Sequence, residues 1–235
     1  MKAVDFHSHI LPGIDDGSKT VEQSIAMLTM AAEQGIECVV ATPHFYPSYD
    51  TPEHFLENRG RAEAQLREAL RQRTDLPEVV VGTEVYFFRG ISQSELLPEL
   101  TIQGNRCILI EMPPAPWPED FYWELEEIWD KWAVTPIIAH IDRYIGPFRT
   151  YGIPERLSRL PVLVQANADF FLGRLTAPMA LRMLKQDRIQ LLGSDCHNLT
   201  SRKPNLGQAL ETIRQKLGQE TVEEIHALAS EVLGI

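Results

Sequence analysis

Seven short apolar runs, separated by longer amphipathic stretches, leave this chain few folds to adopt. The runs are AVDF at 3–6, CVVAT at 38–42, EVVVGT at 78–83, CILIE at 107–111, VTPIIA at 134–139, PVLVQAN at 161–167 and IQLLGSD at 189–195. Most are continuously apolar rather than alternating, the pattern of parallel strands buried on both faces. Between them the spacing predicts helices over 20–34, 52–72, 118–132, 154–159, 174–187 and 204–217, with a last one near 219–232. Gly35 stops the first, and Thr51 and Pro52 supply the cap and first residue of the second. Such alternation means βαβ units on a parallel sheet, and seven strands favour a closed or nearly closed barrel over an open sheet. With 235 residues, no linker and no internal repeat, one α/β domain over 1–235 is expected.

Charge narrows the partners. The chain has 22 basic and 33 acidic residues, a net charge of −11. That argues against nucleic acid or a membrane surface, where a basic face is needed, whereas an anionic substrate remains open if bound cations reverse the local field. Cys38, Cys107 and Cys196 show no CxxC spacing, as expected in a reducing compartment. No apolar run reaches the roughly 18 residues of a membrane span, and MKAVDFHSH holds no signal-peptide core. A cytoplasmic protein without membrane insertion is the expectation.

Five of the seven histidines, His7, His9, His44, His140 and His197, lie at or just past the end of a predicted strand. His54 and His226 fall in helices, where solvated surface positions are expected. Glu84, Glu111 and Asp195 occupy the same strand-end positions, where parallel α/β folds bind ligands. His7 and His9, two apart on extended chain, point to one side, and Asp195 and His197 repeat that geometry. Six strand ends with ligand-type residues make an uncompensated buried cluster costly, so bound cations are expected. Mixed imidazole and carboxylate donors suit Zn, Mn or Fe rather than Mg. The donors outnumber the coordination sites of one ion, so two or three ions are read here.

In this order, these residues resemble the polymerase and histidinol phosphatase (PHP) superfamily of metal-dependent phosphoesterases. The resemblance is strongest to the bacterial tyrosine-protein phosphatases encoded with capsule and exopolysaccharide genes, the CpsB/YwqE type. It is carried by DFHSHILPGIDDG with the following TVEQS, then ATPHFYP, GTEVYF, ILIEMP, IIAHIDRY, VQANA and GSDCHN, across residues 4 to about 207. It implies a distorted TIM-like (β/α)7 barrel with a three-metal site at the C-terminal edge of the strands. His7, His9, Glu84 and Asp195 would hold one ion, and Glu84, Glu111 and His140 a second, with Glu84 bridging. Asp16, His44 and His197 would hold the third, leaving Asp15 to hold the loop or orient a neighbour. Arg143 and Arg202 match the family's phosphate-binding arginines. The common HPERY reads HIDRY here, with Ile141 and Asp142 departing, and Cys196 replaces a small residue.

The activity implied is metal-dependent hydrolysis of phosphotyrosine by a hydroxide held between the ions, with manganese first and iron or zinc as alternatives. Arg143 and Arg202 would fork onto the phosphate, and Asp16 is a candidate proton donor. The implied partner is a phosphotyrosine protein, an autophosphorylating bacterial tyrosine kinase controlling polysaccharide export. Phe45, Tyr46 and Trp117, in aromatic and proline-rich loops beside the centre, are candidate walls for a phenyl ring. Two alternatives stand beside this reading. A histidinol-phosphate or other small phosphomonoester phosphatase would use the same core. Separately, Cys196 and Arg202 formally satisfy the C-x5-R pattern of cysteine-dependent phosphatases.

Overall fold

Two of the seven expected strands are interrupted, and the interruptions organise the sheet. The computed structural model describes residues 2–146 and 149–235. In chain order its elements are β1 (Val4–Ser8), α1 (Val21–Ala32), β2 (Cys38–Ala41), β3 (His44–Phe45), α2 (Pro52–Leu70), β4 (Glu78–Val81), β5 (Glu84–Tyr86) and β6 (Cys107–Glu111). They continue with α3 (Glu119–Trp132), β7 (Thr135–Ile138), α4 (Ile153–Leu157), β8 (Leu163–Asn167), α5 (Ala168–Leu172), α6 (Ala177–Lys185), β9 (Leu191–Gly193), α7 (Leu206–Leu217) and α8 (Gln219–Leu233).

The second run breaks at Thr42–Pro43, where proline has no N–H to give the ladder, and the third at Gly82–Thr83. All strand pairs are parallel, in the orders β1-β2-β4 and β3-β5-β6-β7-β8-β9. Because β2 runs into β3 and β4 into β5, the two sheets are one curled surface of seven chain passes. It closes on itself between its ends. Asp195 N donates to His7 O at 2.8 Å, and His9 N donates to Cys196 O at 2.9 Å. The result is a distorted (β/α)7 barrel.

Two apolar layers hold it. Val4, Phe6, Cys38, Val40, Leu109, Ile137 and Leu191 form the inner cluster with Ala229 and Leu233 of α8. The opposite strand faces, such as Val39, Val81 and Ile110, pack against Met27 and Leu28 of α1, Leu66 of α2 and Leu125 of α3. Each fully buried side chain of this size contributes about 1.5–3 kcal/mol. The helix starts follow the expected chemistry: Thr20 accepts from Gln23 N, and Thr51 accepts from His54 N beside Pro52.

α5 was not expected, because it follows β8 directly, with no intervening glycine or proline to mark its start. Of the two helical histidines, His54 is exposed and pairs with Asp50 at 2.6 Å. His226 departs from the solvated position expected for it. It lies on the face of α8 shared by Val222 and Ser230, and its Nδ1 is buried without a hydrogen-bond partner. No helix among the described residues is long and apolar enough to cross a membrane.

Two features of the barrel aim the site. The register of β1 on β2 runs Val4–Cys38, Asp5–Val39, then Ser8–Ala41, so β1 carries one extra residue. Such a bulge reverses the alternation of side chains. Phe6 therefore joins the inner core while His7 and His9 also turn inward. Across the closure, a Cβ added at Gly193 would lie 2.5 Å from His7 Cβ and 2.8 Å from His7 N. Gly193→Ala is accordingly expected to lower stability by about 1–3 kcal/mol, seen as a lower urea midpoint at unchanged slope. An unchanged midpoint would show that β9 yields freely.

Candidate metal centre

All nine expected ligand residues meet at the C-terminal ends of the strands. His7 Nε2 and His9 Nε2 are 3.1 Å apart. Both face Glu84 Oε2, at 3.1 and 3.2 Å, and Asp195 Oδ1, at 3.6 and 3.4 Å. Two donors bound to one ion at about 2.0–2.2 Å stand roughly 3.0–3.5 Å apart, which is the spacing of this quartet. His140 Nε2 lies 2.8 Å from Glu84 Oε1 and 3.7 Å from Glu111 Oε1. Asp16 Oδ1 lies 3.6 Å from His44 Nε2 and 3.3 Å from His197 Nε2.

The grouping is less partitioned than the resemblance implies. His9 clusters with Asp16, His44 and His197 as well as with His7 and Asp195. His44 turns Nδ1 to Glu84 at 3.0 Å while its Nε2 faces Asp16. Glu84 is the hub, touching four imidazoles.

The tautomers suit cations. His7 Nδ1 donates to Gln165 Oε1 at 3.1 Å, and His9 Nδ1 donates to Asp15 Oδ2 at 2.7 Å. The Tyr144 hydroxyl, which accepts from Met112 N, lies 3.2 Å from His140 Nδ1, and His197 Nδ1 donates to the Asp195 carbonyl at 2.9 Å. In His7, His9 and His197 the acceptor on Nδ1 holds a proton there, so Nε2 is the nitrogen turned into the centre, the usual outer-sphere device of metal-binding histidines. His197 Nε2 is buried with no hydrogen-bond partner. The donor set thus fits divalent cations.

Charge balance agrees. Burial opposes ionisation of Glu84 and Asp195, but neighbouring imidazoles, His7 foremost, overcome it and hold both well below the usual carboxylate range. Burial likewise opposes the charge of His7, yet Glu84 and Asp195 raise its pKa. His197 is instead lowered to about 4 by burial and by repulsion from His9 and Arg202, so it stays a neutral donor.

The aspartate doublet divides its labour. The Asp15 side chain is only 5% exposed, and besides His9 it accepts from Gly17 N at 2.9 Å and His44 N at 3.1 Å. It ties the loop to two histidines, while Asp16 extends into the opening with its side chain 65% exposed. Arg143 and Arg202 stand at the rim. Arg202 Nη2 is 2.8 Å from Asp195 Oδ1, and Arg143 Nη1 is 3.4 Å from Glu111 and 3.1 Å from His140 Nε2. Arg143 Nη2 also pairs with Asp195. The departing residues at 141 and 142 look away from the centre: Ile141 is fully buried, and Asp142 accepts from Asn167 N at 2.9 Å.

Several supporting residues escaped the sequence reading. β8, the strand without a ligand-type residue, supplies amides instead. Gln165 Oε1 also accepts from His140 N at 2.7 Å, and its Nε2 donates to Asn167 Oδ1 at 3.1 Å. Asn167 Nδ2 donates to Asp195 Oδ2 at 2.9 Å. Buried Asp5, raised to about 6 by burial, accepts from Ser194 N at 2.8 Å and secures the strand leading to Asp195. Amides inside the VQAN run were the available signal.

The three candidate walls part company. Tyr46 borders the centre, its hydroxyl 3.2 Å from His44 Nδ1 and 3.3 Å from Glu111 Oε2, and its ring is near Tyr49 and Tyr86. Burial and Glu111 push its pKa up, so it remains a donor. Phe45 packs on Phe55 inside the core. Trp117 is only 5% exposed, donates Nε1 to Pro113 O at 2.8 Å and sits edge-on to Tyr144. Neither Phe45 nor Trp117 faces the opening, because apolar burial outweighs exposure for rings this large. Trp117→Ala is expected to cost about 3–5 kcal/mol of stability, measured by denaturant melting, with KM for a phosphorylated substrate unchanged. A raised KM at wild-type stability would return it to the wall.

The cysteine alternative loses its nucleophile. Cys196 is 2% exposed within the apolar core, and burial pushes its thiol far up.

Comparison with known proteins agrees with this geometry. Residues 3–233 match the family model for capsular polysaccharide synthesis, CpsB/CapC. The tyrosine-protein phosphatase CpsB of Streptococcus pneumoniae is 29% identical over 232 residues, covering 94% of each chain. The tyrosine-protein phosphatase YwqE of Bacillus subtilis (strain 168) is 27% identical over 229 residues, covering 92% of this chain and 86% of that protein. A solved structure from work on B. subtilis YwqE and S. pneumoniae CpsB, described as unique metal-dependent tyrosine phosphatases, superposes with a TM-score of 0.84. It is 24% identical and covers 98% of this chain and 94% of that one, establishing the shared fold. Amidohydrolase 2 of Bifidobacterium longum subsp. infantis shares the barrel at a TM-score of 0.57, 14% identity and 99% and 98% coverage. By the extent of the family match, the chain belongs to the CpsB/CapC family of capsular polysaccharide synthesis proteins.

Proposed function

We propose that this chain is a metal-dependent protein-tyrosine phosphatase, a phosphoric monoester hydrolase acting in capsule or exopolysaccharide synthesis. The observation that carries the reading is the quartet His7, His9, Glu84 and Asp195, with donor separations of 3.1–3.6 Å beside two rim guanidiniums. In this reading His7, His9, Glu84 and Asp195 hold one divalent ion, and Glu84, Glu111 and His140 a second. Asp16, His44 and His197 hold a third. Manganese is the proposed native ion, ahead of iron or zinc. The natural partner is a phosphorylated bacterial tyrosine kinase in the cytoplasm, and residues 1–235 act as one catalytic unit.

When bound, the ions supply Lewis acidity to the phosphoryl oxygens and lower the pKa of water from about 15.7 towards about 7. The protein supplies orientation. Gln165 and Asp15 keep Nδ1 of His7 and His9 protonated, so that Nε2 of each is the nitrogen left to bind, and the Tyr144 hydroxyl fixes the orientation of the His140 ring. Arg143 and Arg202, at the rim, turn from Asp195 to donate forked hydrogen bonds to the phosphate as charge develops. Tyr46 flanks the entry as a protonated donor beside the substrate ring. Little proton help is needed at the leaving oxygen, since tyrosine has a pKa near 10, and Asp16 is the nearest exposed carboxyl.

With the manganese-loaded protein, kcat/KM for a phosphotyrosine peptide is expected to exceed that for histidinol phosphate and for single-stranded DNA by at least about tenfold, on the scale of a specific pocket. Faster turnover of histidinol phosphate would replace the reading with a small-phosphomonoester phosphatase.

A further inference from the structure

We propose that Arg59 is a positioning residue for the metal centre: from α2 it clamps the Gly82–Thr83 break and so sets where Glu84 enters the site. The inference rests on Glu84 being a ligand, as proposed above.

Arg59 is 8% exposed. Its Nη1 donates to Thr83 Oγ1 at 2.6 Å and lies 3.4 Å from Gly82 O, and its Nη2 donates to Glu99 O at 3.1 Å. The guanidinium also stands over the Phe55 ring, 5.9 Å from its centroid. Among the described residues no carboxylate pairs with it directly, and Glu63 and Glu99 act on its charge only from a distance. A buried cation whose hydrogen bonds all go to neutral acceptors is an unfavourable choice for packing alone. Two of the acceptors, Gly82 and Thr83, form the break that leads into β5, and Glu99 lies in the segment between β5 and β6.

That location matters because of how Glu84 is placed. β4 pairs with β2 in one sheet, and two residues later β5 pairs with β3 and β6 in the other. The chain turns between the sheets at Gly82 and Thr83, and Glu84 is the first residue beyond. From the other side Ile102 closes on Gly82, where a Cβ would meet its Cγ1 at 2.9 Å. The break is therefore held between Ile102 and the Arg59 guanidinium. Glu84 contacts four imidazoles at 2.8–3.2 Å, so a shift of a few tenths of an ångström in this turn is felt by every group around it.

The test is the affinity of chelator-stripped protein for Mn²⁺, measured by calorimetry alongside the melting temperature. Arg59→Met keeps the stem against Phe55 and removes the donors, and Thr83→Val removes one acceptor at constant shape. Each is expected to weaken Mn²⁺ binding by about tenfold or more, the usual scale for outer-sphere changes. The double variant should be no weaker than the worse single, since both break one contact. Arg61→Met, on the same helix but exposed, should bind as wild type. If Arg59→Met lowers the melting temperature but leaves Mn²⁺ affinity within twofold, Arg59 is a stability residue and the proposal is overturned. If Arg59→Met does not fold, Thr83→Val decides, and wild-type affinity there overturns it equally. Wild-type protein that takes up no Mn²⁺ would instead sink the reading of the site, and this inference with it.

Discussion

Glu84→Gln is expected to lower kcat/KM for a phosphotyrosine peptide by about a thousandfold or more, some 4 kcal/mol of transition-state stabilisation. The reason is local. One carboxylate meets His7, His9, His44 and His140 at 2.8–3.2 Å. Glutamine keeps the shape but loses the charge, and its NH2 presents donors to Nε2 lone pairs that are free to bind a cation. Elemental analysis should show metal per chain falling together with activity. Stripping wild-type protein with EDTA should give a loss of the same order, with Mn²⁺ restoring the rate. Cys196→Ala should leave these responses unchanged, because that thiol lies in the core. A Glu84→Gln variant with wild-type rate and metal content would falsify the polynuclear reading.

The second large effect belongs to the rim. Arg143→Ala and Arg202→Ala are each expected to reduce kcat/KM by about a hundredfold, near 2.7 kcal/mol, mainly through kcat. With side chains 39% and 37% exposed, both arginines reach the centre from the solvent side rather than forming its floor. Each touches Asp195, a contact a phosphate dianion can replace. Arg143→Lys should recover little, because an ammonium keeps the charge but not the planar fork. Metal content should remain at the wild-type level in all three variants, which separates phosphate recognition from ligand loss. Rates within about threefold of wild type in both alanine variants would remove the arginines from the mechanism.

Much of the candidate site was legible because strand ends are legible. An apolar run followed by His, Glu or Asp places a polar group at a known edge, and six such runs point to one edge. His7 and His9 were readable as a pair from spacing alone. The rest needed contacts between segments far apart in sequence. The amide of Gln165 stands out in its apolar run, but nothing there says that its partners are His7 and the His140 backbone. Nor did Trp117 reveal that it lies behind Tyr144 rather than beside the opening, since a large ring in a proline-rich loop suits either place. His140 and Asp195 adopt left-handed backbone, with φ of 33° and 53°. Non-glycine residues hold that conformation only where surrounding structure over-determines it.

By itself the sequence determined the parallel seven-pass topology, since buried strands and crossover helices leave their periodicities in the residues. It also determined which chemical groups gather at one edge. Tertiary structure alone decided how those groups are aimed: the extra residue in β1 turns His7 and His9 inward, and Gly193 lets β9 approach closely enough to close the barrel. It also decided which neighbour Asp15 orients, His9 at 2.7 Å, where the resemblance had implied only that it holds the loop or orients a neighbour. The physical reason is that composition and periodicity report which way a side chain leaves its own backbone. Whether two nitrogens end 3.1 Å apart depends on bulges, breaks and close approaches set by the opposite side of the barrel.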